Sequence, residues 1–136
     1  MKALVIGCGR VGSTLARGLD EEGWEVAVVD EDEEALDRLG SWRQQFVVGH
    51  GMDSTVLERA GIEDADAVVI ATDGDNTNAV IAQVAKERYG VERVVVRILD
   101  PARAEFYKGK GLDVVSPTRT AIDDLRRRVV AERAVS

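Results

Sequence analysis

Three glycines and one carboxylate carry the clearest chemistry in this sequence. They are Gly7-x-Gly9-x-x-Gly12 and, 18 positions after Gly12, Asp30. Gly7 permits a tight turn out of a preceding strand. Gly9 has no Cβ, so phosphates can approach the backbone, and Gly12 lets the following helix pack close to the sheet. The start of that helix offers free N–H groups and partial positive charge to an anion. Asp30 would accept hydrogen bonds from ribose hydroxyls, and its charge would repel a 2′-phosphate, which disfavours NADP. The glycine loop alone is a weak signal. Here it follows a strand, opens a helix and is matched by an acidic residue closing the next strand. The expected chemistry is binding of an adenine nucleotide, either NAD(H) or ATP/ADP, because Asp30 would read a ribose that both share.

Other residues gather around this motif. Cys8 lies inside the turn and reads either as a small buried side chain or as a redox thiol. Arg10 either pairs with phosphate or faces solvent, and Val11 starts the apolar face of the helix. Glu31 adjoins Asp30 at the strand end. His50 and Gly51 follow the third strand, on the side where adenine would lie; the histidine either touches the base or is structural. The loop Thr72-Asp73-Gly74-Asp75-Asn76-Thr77-Asn78 follows the fourth strand beside the topological switch point, where such sheets bind ligands. Thr72, Asp73 and Asn76 there either contact ribose, phosphates or a cation, or else Asp75 or Asn76 caps the next helix. Arg97 closes the fifth strand and either reaches the phosphates or forms a surface ion pair. With one histidine and one cysteine there is no credible zinc cluster. The sequence also contains no Ser-His-Asp arrangement and no Walker lysine. No catalytic residue and no metal ligand is expected.

The elements that must position these residues alternate regularly. Leu4-Val5-Ile6 reads as the first strand, and apolar spacing predicts a helix over Val11 to Glu22, stopped by Gly23. Val26 to Val29 is the second strand, and a polar helix runs from Glu31 to about Leu39. Gln45 to Val48 is the third strand; Asp53 caps a helix that Gly61 stops. Ala67 to Ala71 is the fourth strand, followed by a helix from about Thr77 to Tyr89. Arg93 to Ile98 is the fifth strand, and Pro101 opens a helix to about Gly109. Val114-Val115 is a short sixth strand, and Pro117 opens a final helix with Ile122, Leu125 and Val129 in register. Strands of Val, Ile and Ala without polar alternation fit a parallel sheet buried on both faces. Right-handed crossovers then predict an α/β fold of Rossmann type: a doubly wound, six-stranded parallel sheet in the order 3-2-1-4-5-6 with helices on both faces.

Composition bounds the function. A chain of 136 residues is expected to be one domain, 1–136, with no second domain and little room for a second catalytic lobe. A net charge of −7 argues against nucleic acid as a partner. Arg126-Arg127-Arg128 reads either as the solvated face of the last helix or as a binding patch. The apolar runs are too short to cross a bilayer, and Met1 to Gly7 leaves no room for a signal peptide. The lone cysteine fits a reducing cytoplasm. Cytoplasmic localisation is therefore expected, with membrane contact only through a partner.

From about Lys2 to Asp124 the chain resembles the RCK family (regulators of potassium conductance), specifically its Trk-type N-terminal nucleotide-binding domain. The resemblance rests on the loop Gly7-Cys8-Gly9-Arg10-Val11-Gly12, on Val56 to Ile62 with Ala65 to Val69, and on Ala71-Thr72-Asp73 with Asp75-Asn76 and Asn78. Val96-Arg97 and Gly111 with Val114 to Pro117 also match. It implies a non-enzymatic sensor of NAD(H) or ATP/ADP that controls a potassium channel or transporter, working as homodimers assembled into rings. It also implies that Asp30 binds ribose, that the Gly7 to Gly12 loop binds phosphates, and that Arg97 reaches the distal phosphate or a neighbouring subunit. The final helix is the natural candidate for a dimer contact, with packing on its own sheet as the alternative. One departure stands out: the family often has Gly-Asp-Ala-Thr after the third strand, and here the run is Gly49-His50-Gly51-Met52. Two other readings stay open, a nucleotide-binding module attached to another partner and a small NAD-dependent dehydrogenase fragment.

Overall fold

A computed structural model describes residues 1–135. Its six strands are β1 (Lys2–Ile6), β2 (Glu25–Asp30), β3 (Gln45–Val48), β4 (Ala67–Ile70), β5 (Arg93–Arg97) and β6 (Asp113–Val115). They form one parallel sheet in the order β3-β2-β1-β4-β5-β6. This is the expected Rossmann-type doubly wound arrangement. The chain reverses its direction of winding between β1 and β4, so the C-terminal ends of these two strands flank a crevice.

The absence of polar alternation in the strands has a direct structural cause. In β1, Leu4 and Ile6 enter one apolar layer with Leu57, Ile70 and Ile81, while Val5 enters a second layer with Val28, Ala16 and Leu39. Successive side chains of a strand point to opposite faces, and here both faces are covered. Helix α1 (Arg10–Glu21) and the 3₁₀ helix Glu33–Leu39 contribute to the second layer. Helices α2 (Ser54–Arg59), α3 (Asp75–Gln83) and α4 (Pro101–Gly109) contribute to the first.

Several element ends follow the expected chemistry. Asp53 accepts from the Thr55 N–H at the start of α2, and Gly61 takes the left-handed conformation, with φ +87°, beyond its end. The Asp100 carboxylate accepts from the Arg103 N–H at the start of α4, with Pro101 in the first turn. Other expectations need correction. The polar helix begins at Glu33, not Glu31, because Asp32 caps it by accepting from the Glu34 N–H. Helix α3 begins at Asp75 rather than Thr77 and continues through Val84–Arg88 as a π-helical turn. Neither Asp75 nor Asn76 caps it. The capping residue is Gly74, and the buried Asp75 carboxylate accepts from the Leu99 and Asp100 N–H groups at 2.7 and 2.9 Å. Asp75 therefore anchors the loop after β5 to the start of α3.

In the final helix, α5 (Pro117–Val135), Leu125 and Val129 do not pack on its own sheet: they are 66% and 69% exposed. Among the described residues no helix is long and apolar enough to cross a membrane.

Candidate nucleotide site

The glycine loop joins β1 to α1, and its three glycines differ in what demands them. At Gly7 φ is +102°, and a Cβ would lie 2.7 Å from the Ala71 carbonyl carbon. At Gly12 a Cβ would lie 1.7 Å from the Gly7 carbonyl oxygen. Both are glycines because the protein leaves no room for a side chain. Gly9 is different. It caps α1 with φ −81°, and nothing lies within 4 Å of where its Cβ would be. Neither backbone strain nor packing requires glycine at this position, yet it lines the cleft beside the loop. That open backbone suits a ligand that must approach closely.

Helix α1 also lacks the devices that blunt other helix starts here. It has no capping side chain and no acidic residue in its first turn, whereas the 3₁₀ helix, α2 and α4 are each capped by an aspartate. The first N–H groups of a helix have no partner within it. Their positive end is thus left for an anion. Replacing Gly9 with valine is expected to keep the fold, with a thermal midpoint within a few degrees of the parent. The same change should weaken nucleotide binding by at least roughly tenfold, on the order of 1.4 kcal/mol, through exclusion from the backbone. Unchanged affinity by calorimetry would sink the phosphate role of this loop.

Asp30 closes β2 beside the loop. Its Oδ2 accepts from the Cys8 N–H at 2.7 Å, and its Oδ1 from the Asp32 N–H at 2.9 Å. An ionised carboxylate has about four acceptor positions, so each oxygen keeps capacity for a ribose hydroxyl. The two backbone bonds fix its direction, which is what a ribose-reading residue needs. Gly49 reaches the same residue from β3, its N–H donating to the Asp30 carbonyl at 2.9 Å.

The cleft above these strand ends has a volume of about 520 Å³, within the range typical of small-molecule sites. Gly7, Gly9, Asp30, Glu31, His50 and Gly51 line it, and Thr72 and Asp73 face it from the loop after β4. His50 Nε2 lies 3.0 Å from Glu31 Oε1, and His50 Nδ1 accepts from the Met52 N–H at 3.0 Å. With Nδ1 an acceptor, Nε2 is the ring nitrogen left to donate to Glu31. This pair ties the loop after β2 to the loop after β3. Gly51 is buried, and a Cβ there would meet Ile6 and Ile81 side chains at 2.7 and 2.9 Å, so its glycine is a packing requirement.

Other expected site residues point elsewhere. The Cys8 side chain is fully buried, with its Sγ 3.4 Å from the Ala35 carbonyl. Burial pushes its thiol pKa up, the Asp30 charge adds to this, and Arg38 partly opposes it. A buried, protonated thiol is a packing group rather than a redox centre. Arg10 and Val11 are exposed and border a shallow groove along α1, away from the cleft; Gly12 is buried under the loop. Asn76 does not line the cleft and accepts from the Tyr107 hydroxyl at 3.0 Å. Arg97 folds back: its Nη2 donates to the Ala71 and Thr72 carbonyls at 3.1 and 3.0 Å and lies 3.7 Å from Asp73. Its Nε is buried without a partner. The buried Asn78 completes this junction by donating to the Thr72 and Arg97 carbonyls, both at 2.9 Å.

The TrkA-N domain model matches residues 3–117. The chain belongs to the TrkA-N family. A Trk system potassium uptake protein TrkA from Streptomyces coelicolor is 44% identical over 135 residues, covering 98% of this chain and 60% of that protein. This TrkA-N domain thus spans less than two thirds of that relative. Among solved structures, the TrkA-N domain of the inner membrane protein ybaL from Escherichia coli superposes with TM-score 0.82 at 20% identity, covering 93% of this chain and 94% of that one. The C-terminal domain of Kef from Shewanella denitrificans, in an AMP-bound form, gives TM-score 0.78 at 25% identity, with 98% and 88% coverage. The GsuK channel bound to NAD gives TM-score 0.79 at 22% identity, with 98% and 24% coverage.

The structure of this TrkA-N domain adds cleft residues that spacing did not reveal. Asp32, Arg38 and Gly49 line the cleft; Thr77, within the expected loop after β4, lines it from the first turn of α3. Asp32 and Gly49 were within reach, since each adjoins an expected site residue. Arg38 carries no motif signal: nothing in a polar helix marks which of its charges turns toward the glycine loop.

Proposed function

We propose that this TrkA-N domain is a regulatory module that binds an adenine nucleotide, NAD(H) or ATP/ADP, and controls a potassium channel or transporter. The observation that carries the reading is Asp30, held by the Cys8 and Asp32 N–H groups at the mouth of a cleft where the Gly9 backbone lies open. The carboxylate takes the ribose hydroxyls, and the N–H groups opening α1 take the phosphates. His50 and Glu31 meet the adenine side, and Thr72 and Asp73 meet the ligand from the loop after β4. The role is regulatory, not enzymatic. The named relatives support it: a potassium uptake protein, a domain in an AMP-bound form and a channel bound to NAD.

Control would follow from differential affinity, the nucleotide shifting the population of assembled states toward the one it binds better. The partner is the membrane subunit of a potassium channel or transporter. The domain works as a homodimer or higher ring at the cytoplasmic face of the membrane, and α5, with its exposed Leu125 and Val129, supplies the subunit contact. Calorimetric titration with NADH, NAD, ATP and ADP tests the core of the proposal. Binding confined to NADH or NAD assigns redox sensing, and preference for ATP or ADP assigns energy-state sensing. Binding of none of the four overturns the reading.

A further inference from the structure

A phosphorylated nucleotide in this cleft faces a charge problem. Four carboxylates line it, those of Asp30, Glu31, Asp32 and Asp73. The two arginines that the sequence offers to the phosphates are engaged or placed elsewhere. Arg10 borders the groove along α1, and Arg97 lies on the carbonyls at the end of β4. Arg38 is the one lysine or arginine that lines the cleft among the described residues.

Its position is specific. From the exposed face of the 3₁₀ helix, Arg38 Nη1 donates to the Cys8 carbonyl at 3.1 Å. The Cys8 N–H is already held by Asp30, so the backbone of residue 8 is gripped from both sides, by the end of β2 and by the 3₁₀ helix that follows it. A guanidinium has five N–H donors, and the Cys8 carbonyl is its one hydrogen-bond acceptor among the described residues. No ion pair joins it to a carboxylate among them, although the carboxylates of Asp30, Glu31, Asp32 and Asp73 share its cleft. A cation fixed against the phosphate loop, with donors to spare and no anion of its own, is suited to an anion brought by the ligand.

We infer that Arg38 is a specificity-determining residue, the cation that lets this acidic cleft accept the phosphates of a nucleotide rather than the nucleoside alone. The inference rests on the nucleotide reading above and adds to it the residue that reads charge. The protein's other contribution at the phosphates, the α1 N-terminus, is backbone and does not change with side-chain substitution at position 38.

The experiment compares ADP with adenosine by calorimetry on the parent chain, Arg38→Gln and Arg38→Lys, at low and high salt. A charge-assisted contact is worth enough that Arg38→Gln should weaken ADP about tenfold or more at low salt while changing adenosine less than about twofold. Arg38→Lys, which keeps the charge, should recover a good part of the ADP loss. High salt should narrow the gap between parent and Arg38→Gln, because exposed charges are screened. Equal losses for ADP and adenosine would overturn the inference, leaving Arg38 only a brace for the Cys8 carbonyl. No loss for either would overturn it as well. If the parent binds neither ADP nor adenosine nor NAD, the nucleotide reading itself falls and the inference with it, a result distinct from failure at Arg38.

Discussion

Gly12→Ala is expected to destabilise the domain by about 3 kcal/mol or more, in the upper range for an overpacked site. The new Cβ would sit 1.7 Å from the Gly7 carbonyl oxygen. The Cβ is fixed directly by the backbone of α1 and the oxygen belongs to the backbone of the turn out of β1, so no side-chain rotation can relieve the clash. Either α1 slides off the sheet or the turn opens, and both disturb the layer that contains Val5, Cys8 and Ala16. For a chain of this size the thermal midpoint should fall by roughly 10 °C or more. Gly9→Ala, three residues earlier and with open space around its Cβ, should leave the midpoint nearly unchanged. If the two variants melt together, the helix–strand packing role of Gly12 is wrong.

Asp30→Ala carries the second large effect, on binding. It removes charge-assisted hydrogen bonds to ribose worth roughly 1–3 kcal/mol, a loss of affinity of about fivefold to 150-fold. It also frees the Cys8 and Asp32 N–H groups from their common acceptor, so the glycine loop loses its tie to β2. Asp30→Asn separates the two consequences. Its side-chain oxygen can still accept from one of these N–H groups, but the charge is gone. Weakening of NAD and ADP alike in both variants fits a shared ribose contact. Affinity equal to the parent in both would remove Asp30 from the site.

Much of this domain was legible from local spacing. Strand order followed from uninterrupted Val, Ile and Ala runs alternating with helices, because parallel strands buried on both faces need apolar residues at every position. Gly7 and Gly12 were readable because their demands are those of the chain itself: a positive φ, and a helix that must touch a strand. Asp30 was readable because the end of a strand places its side chain at the edge of the sheet. Only the tertiary structure decided which of the remaining polar groups face the cleft. Asn76 and Thr77 are neighbours in α3, yet Asn76 meets Tyr107 of α4 while Thr77 lines the cleft, since about 100° separates successive side chains on a helix. Arg97 ends β5 at the expected edge but turns back onto the Ala71 and Thr72 carbonyls just beyond β4, which accept from its guanidinium. Arg38 reaches the Cys8 carbonyl across 30 positions of sequence. Spacing along a chain reports backbone conformation, which is local; the direction in which a long side chain finds its partner is set by the elements packed around it.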